Sequence, residues 1–136
     1  MILAAGKGTR LKPLTDRIPK ALVEVGGMPL IMRQLLDLNK YGFNDITVNV
    51  HHFADMLCSY IDANKPDGLE VHISSEREKL LNTGGALKKA ASFLLADDYP
   101  LPILVHNVDI LSNVDLKVFF KSSVNHDAAL LVSCLL

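Results

Sequence analysis

Short apolar segments recur along this chain with room for one helix between successive pairs, and that alternation restricts the fold more than any other feature. Residues 1–5, "DITVNV" (45–50), "LEVHIS" (69–74), "PILVHN" (102–107) and "AALLVSC" (128–134) read as strands rich in β-branched or aliphatic residues. Helical patterns lie between them. Pro29 can open the first helix, "LIMRQLLDLNKY", and Gly42 can stop it. The second pattern sets Phe53, Met56, Leu57, Tyr60 and Ile61 on one helix face, and the third does the same with Leu87, Ala90, Ala91, Leu94 and Leu95. Leu116, Phe119, Phe120 and Val124 repeat it more weakly. Strand, helix, strand in repetition predicts parallel strands joined by right-handed crossovers. Several strands lack polar alternation, as expected where helices cover both sheet faces. The expected fold is therefore α/β, a three-layer α/β/α sandwich with a mostly parallel sheet, built as a single domain over residues 1–136. "KALVEVGGMPL" departs from the pattern and reads as a small strand pair turning at Gly26-Gly27.

Composition excludes several functions. The formal net charge is −1, which provides no basic face for nucleic acid, so an anionic ligand must be held by local positive charge. Cys58 and Cys134 lie far apart without metal-ligand spacing and read as small buried hydrophobes, which favours a reducing compartment. "MILAA" is too short for a signal peptide, and no stretch approaches the roughly 20 apolar residues of a membrane span. A cytoplasmic protein is expected, with no membrane partner. The apolar ending "DAALLVSCLL" calls for cover, so either more chain follows or the edge at residues 128–136 self-associates.

In an open parallel sheet, ligands bind beyond the carboxyl ends of the strands. Four segments are placed there: the loop from Gly6 to Lys20, His51-His52, "SEREKLLNTGG" and "HNVDI". The first loop lacks GxxxxGK[ST], and Leu11 stands where a dinucleotide fingerprint needs its third glycine, which disfavours an NAD-dependent oxidoreductase. Ala4, Ala5, Gly6 and Gly8 let backbone amides approach a flat or anionic ligand. Arg10 offers a forked donor suited to phosphate oxygens, and Lys20 a second, point-like cation. A glycine-rich turn carrying two solvated cations is the plainer alternative.

Asp109 ends a strand in an otherwise apolar run and suits a Mg²⁺ that bridges phosphates, since such ions take one or two protein carboxylates. A cap or turn aspartate competes with that reading, although Ser112, Asn113 and Asp115 are already available to cap the next helix. Thr83 can cap the third helix, and Gly84-Gly85 would let a planar base lie against backbone, unless the glycines merely loosen the helix start. Glu76 and Glu78 read as solvated, and His51 and His52 as loop residues. No GxSxG or activated Ser or Cys is evident.

"GKGTRLKPLTDRIPKALVEVGGMPL" closely resembles the signature of the sugar-phosphate nucleotidyltransferases, G-x-G-T-R-L-x-P-L-T followed by P-K. "LLNTGGALKKA" is similar to that family's base-side segment, and "VHNVDIL" to its metal-bearing strand end. The resemblance implies a Rossmann-like nucleotide-diphospho-sugar transferase fold, of which this chain covers only the N-terminal, nucleotide-binding part. It also implies transfer of NMP from an NTP to a sugar 1-phosphate with Mg²⁺, giving NDP-sugar and pyrophosphate. By that analogy Arg10 binds the departing pyrophosphate and Lys20 the phosphates near the reaction centre. Asp109 holds the metal, and Ala4, Ala5, Gly6, Gly8, Thr9, Thr83 and Gly84 contact the nucleotide. Two departures stand out. Val108 sits where members commonly have glycine, and residues 110–136 supply neither a sugar-binding half nor a second metal carboxylate. A phosphocholine cytidylyltransferase of the same family and a non-catalytic nucleotide-binding module are the alternatives.

Overall fold

The computed structural model describes residues 1–95, 102–123 and 126–129. Its strands are β1 (Ile2–Leu3), β2 (Glu24–Val25), β3 (Met28–Pro29), β4 (Asp45–Val50), β5 (Glu70–Ser75) and β6 (His106–Asn107). Its α-helices are α1 (Leu30–Lys40), α2 (Ala54–Asn64), α3 (Asn82–Leu94) and α4 (Leu116–Ser123). Four strands form one sheet in the order β5-β4-β1-β6, and each neighbouring pair runs parallel. The chain steps outward from β1 to β4 and β5, and α3 then carries it back to the other side of β1. That reversal falls between β1 and β6, so the crevice beyond their carboxyl ends is the topological switch point.

Helices cover both faces, as the unalternating strands predict. Leu30, Ile31, Leu35 and Leu38 of α1 and Ala54, Leu57 and Ile61 of α2 pack with Ile2, Ile46, Val48 and Val50. Each fully buried large aliphatic side chain there contributes about 1.5–3 kcal/mol. On the opposite face Ala86 and Ala90 of α3 meet Met1, with Leu3 and Leu87 alongside. Leu116 of α4 joins the first cluster, and the Phe120 ring stands edge-on to Phe43 at 5.7 Å. Every β4 residue after Asp45 is buried, including Thr47 and Asn49. In a strand enclosed on both sides, a polar residue must find an internal partner.

Local signals account for the junctions. Gly42, at φ 90°, ends α1: its N–H donates to Asn39 O and the Phe43 N–H to Leu38 O, the paired bonds of a Schellman motif. Gly26 and Gly27, at φ 58° and 74°, form the turn between β2 and β3 that "KALVEVGGMPL" predicts. Asp115 caps α4, its Oδ1 accepting from the Lys117 and Val118 amides.

Several boundaries differ from expectation. β1 stops at Leu3 rather than residue 5, because the next two amides turn to a side chain instead of a strand. Only His106–Asn107 of 102–107 is a strand. Phe53 precedes α2 at φ 52°, and Met56 is 42% exposed, since Ala54, Leu57 and Ile61 define the buried face. Leu95 lies just past α3 and is exposed. Ala128 and Ala129 belong to no element, while Val124 of the fourth helical pattern and residues 130–134 of the expected strand, Cys134 included, lie outside the described residues. No helix among the described residues is long and apolar enough to cross a membrane.

Candidate functional site

The loop after β1 is shaped by Gly8. At φ 62° its backbone is left-handed, and a Cβ there would stand 2.8 Å from Thr15 Cγ2 and 3.1 Å from Lys20 Cβ. Its carbonyl accepts from the Leu11 N–H and the Thr15 hydroxyl, both at 2.8 Å, and Thr15 is buried. The loop therefore folds down onto Thr15 and the stem of Lys20. Gly6 differs, because a Cβ there meets nothing within 4 Å. Gly8→Ala should destabilise the chain by about 1–3 kcal/mol in denaturant unfolding. Gly6→Ala should stay within about 0.5 kcal/mol of the parent.

Pro19 is buried and leads into a short 3₁₀ turn, Lys20–Leu22, anchored by the fully buried Ala21. From this turn Lys20 reaches across the crevice to Asp109, with Nζ 2.5 Å from Oδ2. Asp109 follows β6, where the Val108 N–H donates to Leu3 O and extends the ladder. Val108 is buried in the main core, so the side chain standing in glycine's place is absorbed by packing. On the other side of Asp109, the buried Gln34 of α1 donates to Ile110 O at 2.6 Å. Main-chain ladder and side-chain bond thus hold the segment carrying the carboxylate. Arg10 lies on the 3₁₀ turn Thr9–Leu11 and is exposed.

A cleft of about 190 Å³ lies at the switch point. Ala5, Gly6 and Lys20 line it from the first loop, and Asn107, Val108 and Asp109 from the end of β6. Leu80, Asn82 and Thr83 close it at the entry to α3, with Asn49 and Glu76 between. Pockets that engulf a small-molecule ligand run to roughly 300–1,000 Å³, so this cleft would enclose only part of a nucleotide. Of the residues singled out in the sequence, Ala5, Gly6, Lys20, Thr83 and Asp109 meet here. Ala4 is buried behind them and Gly8 packs beneath Lys20. Thr9, Arg10 and Gly84 are exposed and outside this lining.

Three expectations need correction. Glu76 is not solvated but 1% exposed: its Oε1 accepts from Asn49 Nδ2 at 2.7 Å and its Oε2 from the Leu81 N–H at 2.8 Å. Thr83 does not cap α3, because the cap lies two residues earlier, at Leu81, and the helix begins at Asn82. The Glu76 carboxylate takes over there, satisfying the Leu81 amide beside the positive end of the helix dipole. Finally, the Ala4 and Ala5 amides are committed to Asn49 Oδ1, at 2.6 and 3.3 Å, rather than open to an anion. Asn49 gave only a weak signal, as one of the alternating polar residues of "DITVNV". Glu76 gave no local signal, lying in a charged run. Gly85 has a packing reason, since a Cβ there would sit 2.8 Å from Leu81 Cβ, whereas Gly84 faces open space.

Among the described residues, the remaining titratable groups do not form a second reaction centre. His51 Nδ1 bonds the Glu76 carbonyl at 2.7 Å, a loop-holding role. Burial lowers His106 below its ordinary value, which disfavours its charged form. Burial, and then Asp62, push the Cys58 thiol up, the opposite of an activated nucleophile. Asp45, Glu70 and His72 come together, but at the amino ends of β4 and β5, a strand's length from the cleft. Asp45 and Glu70 are 67% and 71% exposed, and the three form an ordinary surface charge cluster.

The chain is similar to several known proteins. The N-acetylmuramate alpha-1-phosphate uridylyltransferase of Caulobacter vibrioides is 44% identical over 111 residues, covering 80% of this chain and 44% of that protein. The mannose-1-phosphate guanyltransferase of Debaryomyces hansenii is 38% identical over 127 residues, covering 90% of this chain and 34% of that protein. The chain thus spans less than half the length of these two curated relatives. Among solved structures, HddC from Yersinia pseudotuberculosis complexed with GMP-PN aligns with a TM-score of 0.78 at 31% identity, over 91% of this chain and 53% of that one. The nucleotidyl transferase family matches residues 1–136. This chain belongs to the nucleotidyl transferase family.

Proposed function

We propose that this chain is the nucleotide-binding part of an enzyme that transfers NMP from an NTP to a sugar 1-phosphate. The carrying observation is the meeting of Lys20 and Asp109, from segments 89 residues apart, in the crevice where the sheet order reverses. A sugar phosphate is largely dianionic at neutral pH, its second pKa being about 6. It needs no general base, which matches a cleft without an activated histidine. One oxygen of that phosphate bonds to the α-phosphorus, the bond from the α-phosphorus to the bridging oxygen breaks, and pyrophosphate leaves with the electron pair. The barrier to lower is anion approaching anion, and alignment with aimed positive charge lowers it. Lys20 would turn its ammonium from Asp109 to the phosphates, and Arg10 would take the pyrophosphate end. Gly6, Gly8, Thr9, Thr83 and Gly84, over the backbone of Ala4 and Ala5, would shape the nucleotide seat.

The cleft's donor set fits a Mg²⁺ held by Asp109. Of the two cleft carboxylates among the described residues, Glu76 has both oxygens bonded within the protein. Asp109 is bonded through Oδ2 alone, and its side chain is 37% exposed. A bound Mg²⁺ supplies charge neutralisation on the phosphates. The cytoplasm, where NTPs and sugar phosphates coexist, is the expected compartment. The test is a grid of the four NTPs against several sugar 1-phosphates and phosphocholine, read by pyrophosphate release from a chain extended past Leu136. We expect release that depends on one sugar 1-phosphate, and saturable NTP binding by residues 1–136. NTP binding without release from any acceptor would instead favour a non-catalytic module, and release with phosphocholine alone a cytidylyltransferase.

A further inference from the structure

One line of buried polar groups joins the two walls of the cleft, and the reaction proposed above does not use it. Ala4 and Ala5 donate to Asn49 Oδ1, Asn49 Nδ2 donates to Glu76 Oε1, and Leu81 donates to Glu76 Oε2. Asn49 is 3% and Glu76 1% exposed. The line therefore runs from the first loop, through the ends of β4 and β5, to the entry of α3. Resting on the proposed nucleotide site, we propose that Asn49 and Glu76 are positioning residues: a clasp that sets the gap between the phosphate-side loop and the segment opening α3.

Three features carry this. The clasp's ends lie in segments that line the cleft, through Ala5 and Gly6 on one side and Leu80, Asn82 and Thr83 on the other. Its polarity is also fixed throughout: two amides need an acceptor at position 49, and the Leu81 amide needs one at position 76, so only the central link can be reversed. Lastly, a carboxylate is a costly way to fill a core position. It is tolerated here by its two hydrogen bonds and the amino end of the 13-residue helix α3. An aliphatic pair could fill the space but could not hold three main-chain amides at set distances. Small errors matter at such a site, since a misplacement of about 1 Å can cost about 100-fold in rate.

Reversing the central link provides the test. Glu76→Gln sets amide against amide, so at least one bond is lost in every rotamer. Asn49→Asp sets carboxylate against carboxylate. In the double variant the new carboxylate at 49 accepts from Ala4, Ala5 and the new amide at 76, whose oxygen still accepts from Leu81. Formal charge equals that of the parent. We expect each single variant to bind the preferred NTP about 10- to 100-fold more weakly, and the double variant to return to within about 3-fold of the parent. Amide hydrogen exchange should follow the same pattern, with Ala4 and Leu81 deprotected in the singles and protected again in the double. A merely structural pair would lower unfolding temperature without changing NTP affinity in the folded protein, and that result overturns the proposal. So does unchanged exchange at Ala4 and Leu81 in both singles, or a folded double variant that binds no better than they do. If a single fails to fold, the double alone decides by the same affinity criterion. Failure of the parent to bind any NTP would remove the nucleotide reading, whereas the exchange pattern would still report on the clasp.

Discussion

Replacing Lys20 with methionine should leave the fold nearly intact and lower turnover by about 10²–10³, the usual loss for one donor aimed at developing charge. Methionine keeps most of the aliphatic stem that packs against Gly8, so the loop retains its seat. The ion pair itself adds little to stability. Asp109 is 37% exposed, and a pair screened by solvent at its carboxylate contributes at most about 1 kcal/mol. The two readouts therefore separate: denaturant unfolding should hardly move, and pyrophosphate release from a chain extended past Leu136 should collapse. Lys20→Arg should recover only part of the rate, because a planar fork replaces a compact ammonium in a cleft of about 190 Å³. Turnover within about 3-fold of the parent in a folded methionine variant would remove Lys20 from the reaction.

The sequence alone conveys the architecture well, because the architecture rests on local periodicities. The crossovers, the Gly26-Gly27 turn, the Gly42 stop and the Asp115 cap each depend on a few adjacent residues, and each appears in the structure. The pairing of Lys20 with Asp109 was also foreseeable, since parallel topology sends the ends of β1 and β6 to one edge. What escaped the sequence is tertiary. Glu76 stands in "SEREK", a run whose other charged members are exposed, and only the docking of α3 over the ends of β4 and β5 buries it. The same docking moves the cap of α3 from Thr83 to Leu81, because Glu76, five residues before Leu81, already satisfies the amide there. Met56 and Leu95 were misplaced for a milder reason. A helical period says which residues share a stripe, but packing against the sheet selects the stripe's centre and end.

Arg10→Ala should separate function from folding more sharply than any other change in the first loop. No hydrogen bond or ion pair joins Arg10 to another described side chain, and it projects from an exposed 3₁₀ turn. Surface replacements of that kind usually stay within about 0.5 kcal/mol in stability. The turn beneath it keeps its own supports, since Leu11 and Thr15 both bond Gly8 O and neither bond involves the Arg10 side chain. A guanidinium presented this way is available for an anion that arrives, and a terminal pyrophosphate offers the oxygens its fork matches. If Arg10 stabilises charge as pyrophosphate departs, its loss should lower turnover by about 10²–10³ with little change in sugar-phosphate KM. Arg10→Lys should restore charge without the fork and recover only part of the rate. A rise in NTP KM at unchanged turnover would show instead that Arg10 holds substrate and product alike. Unchanged kinetics would mean that the loop's arginine is a solvated cation, leaving Lys20 as the cleft's phosphate ligand.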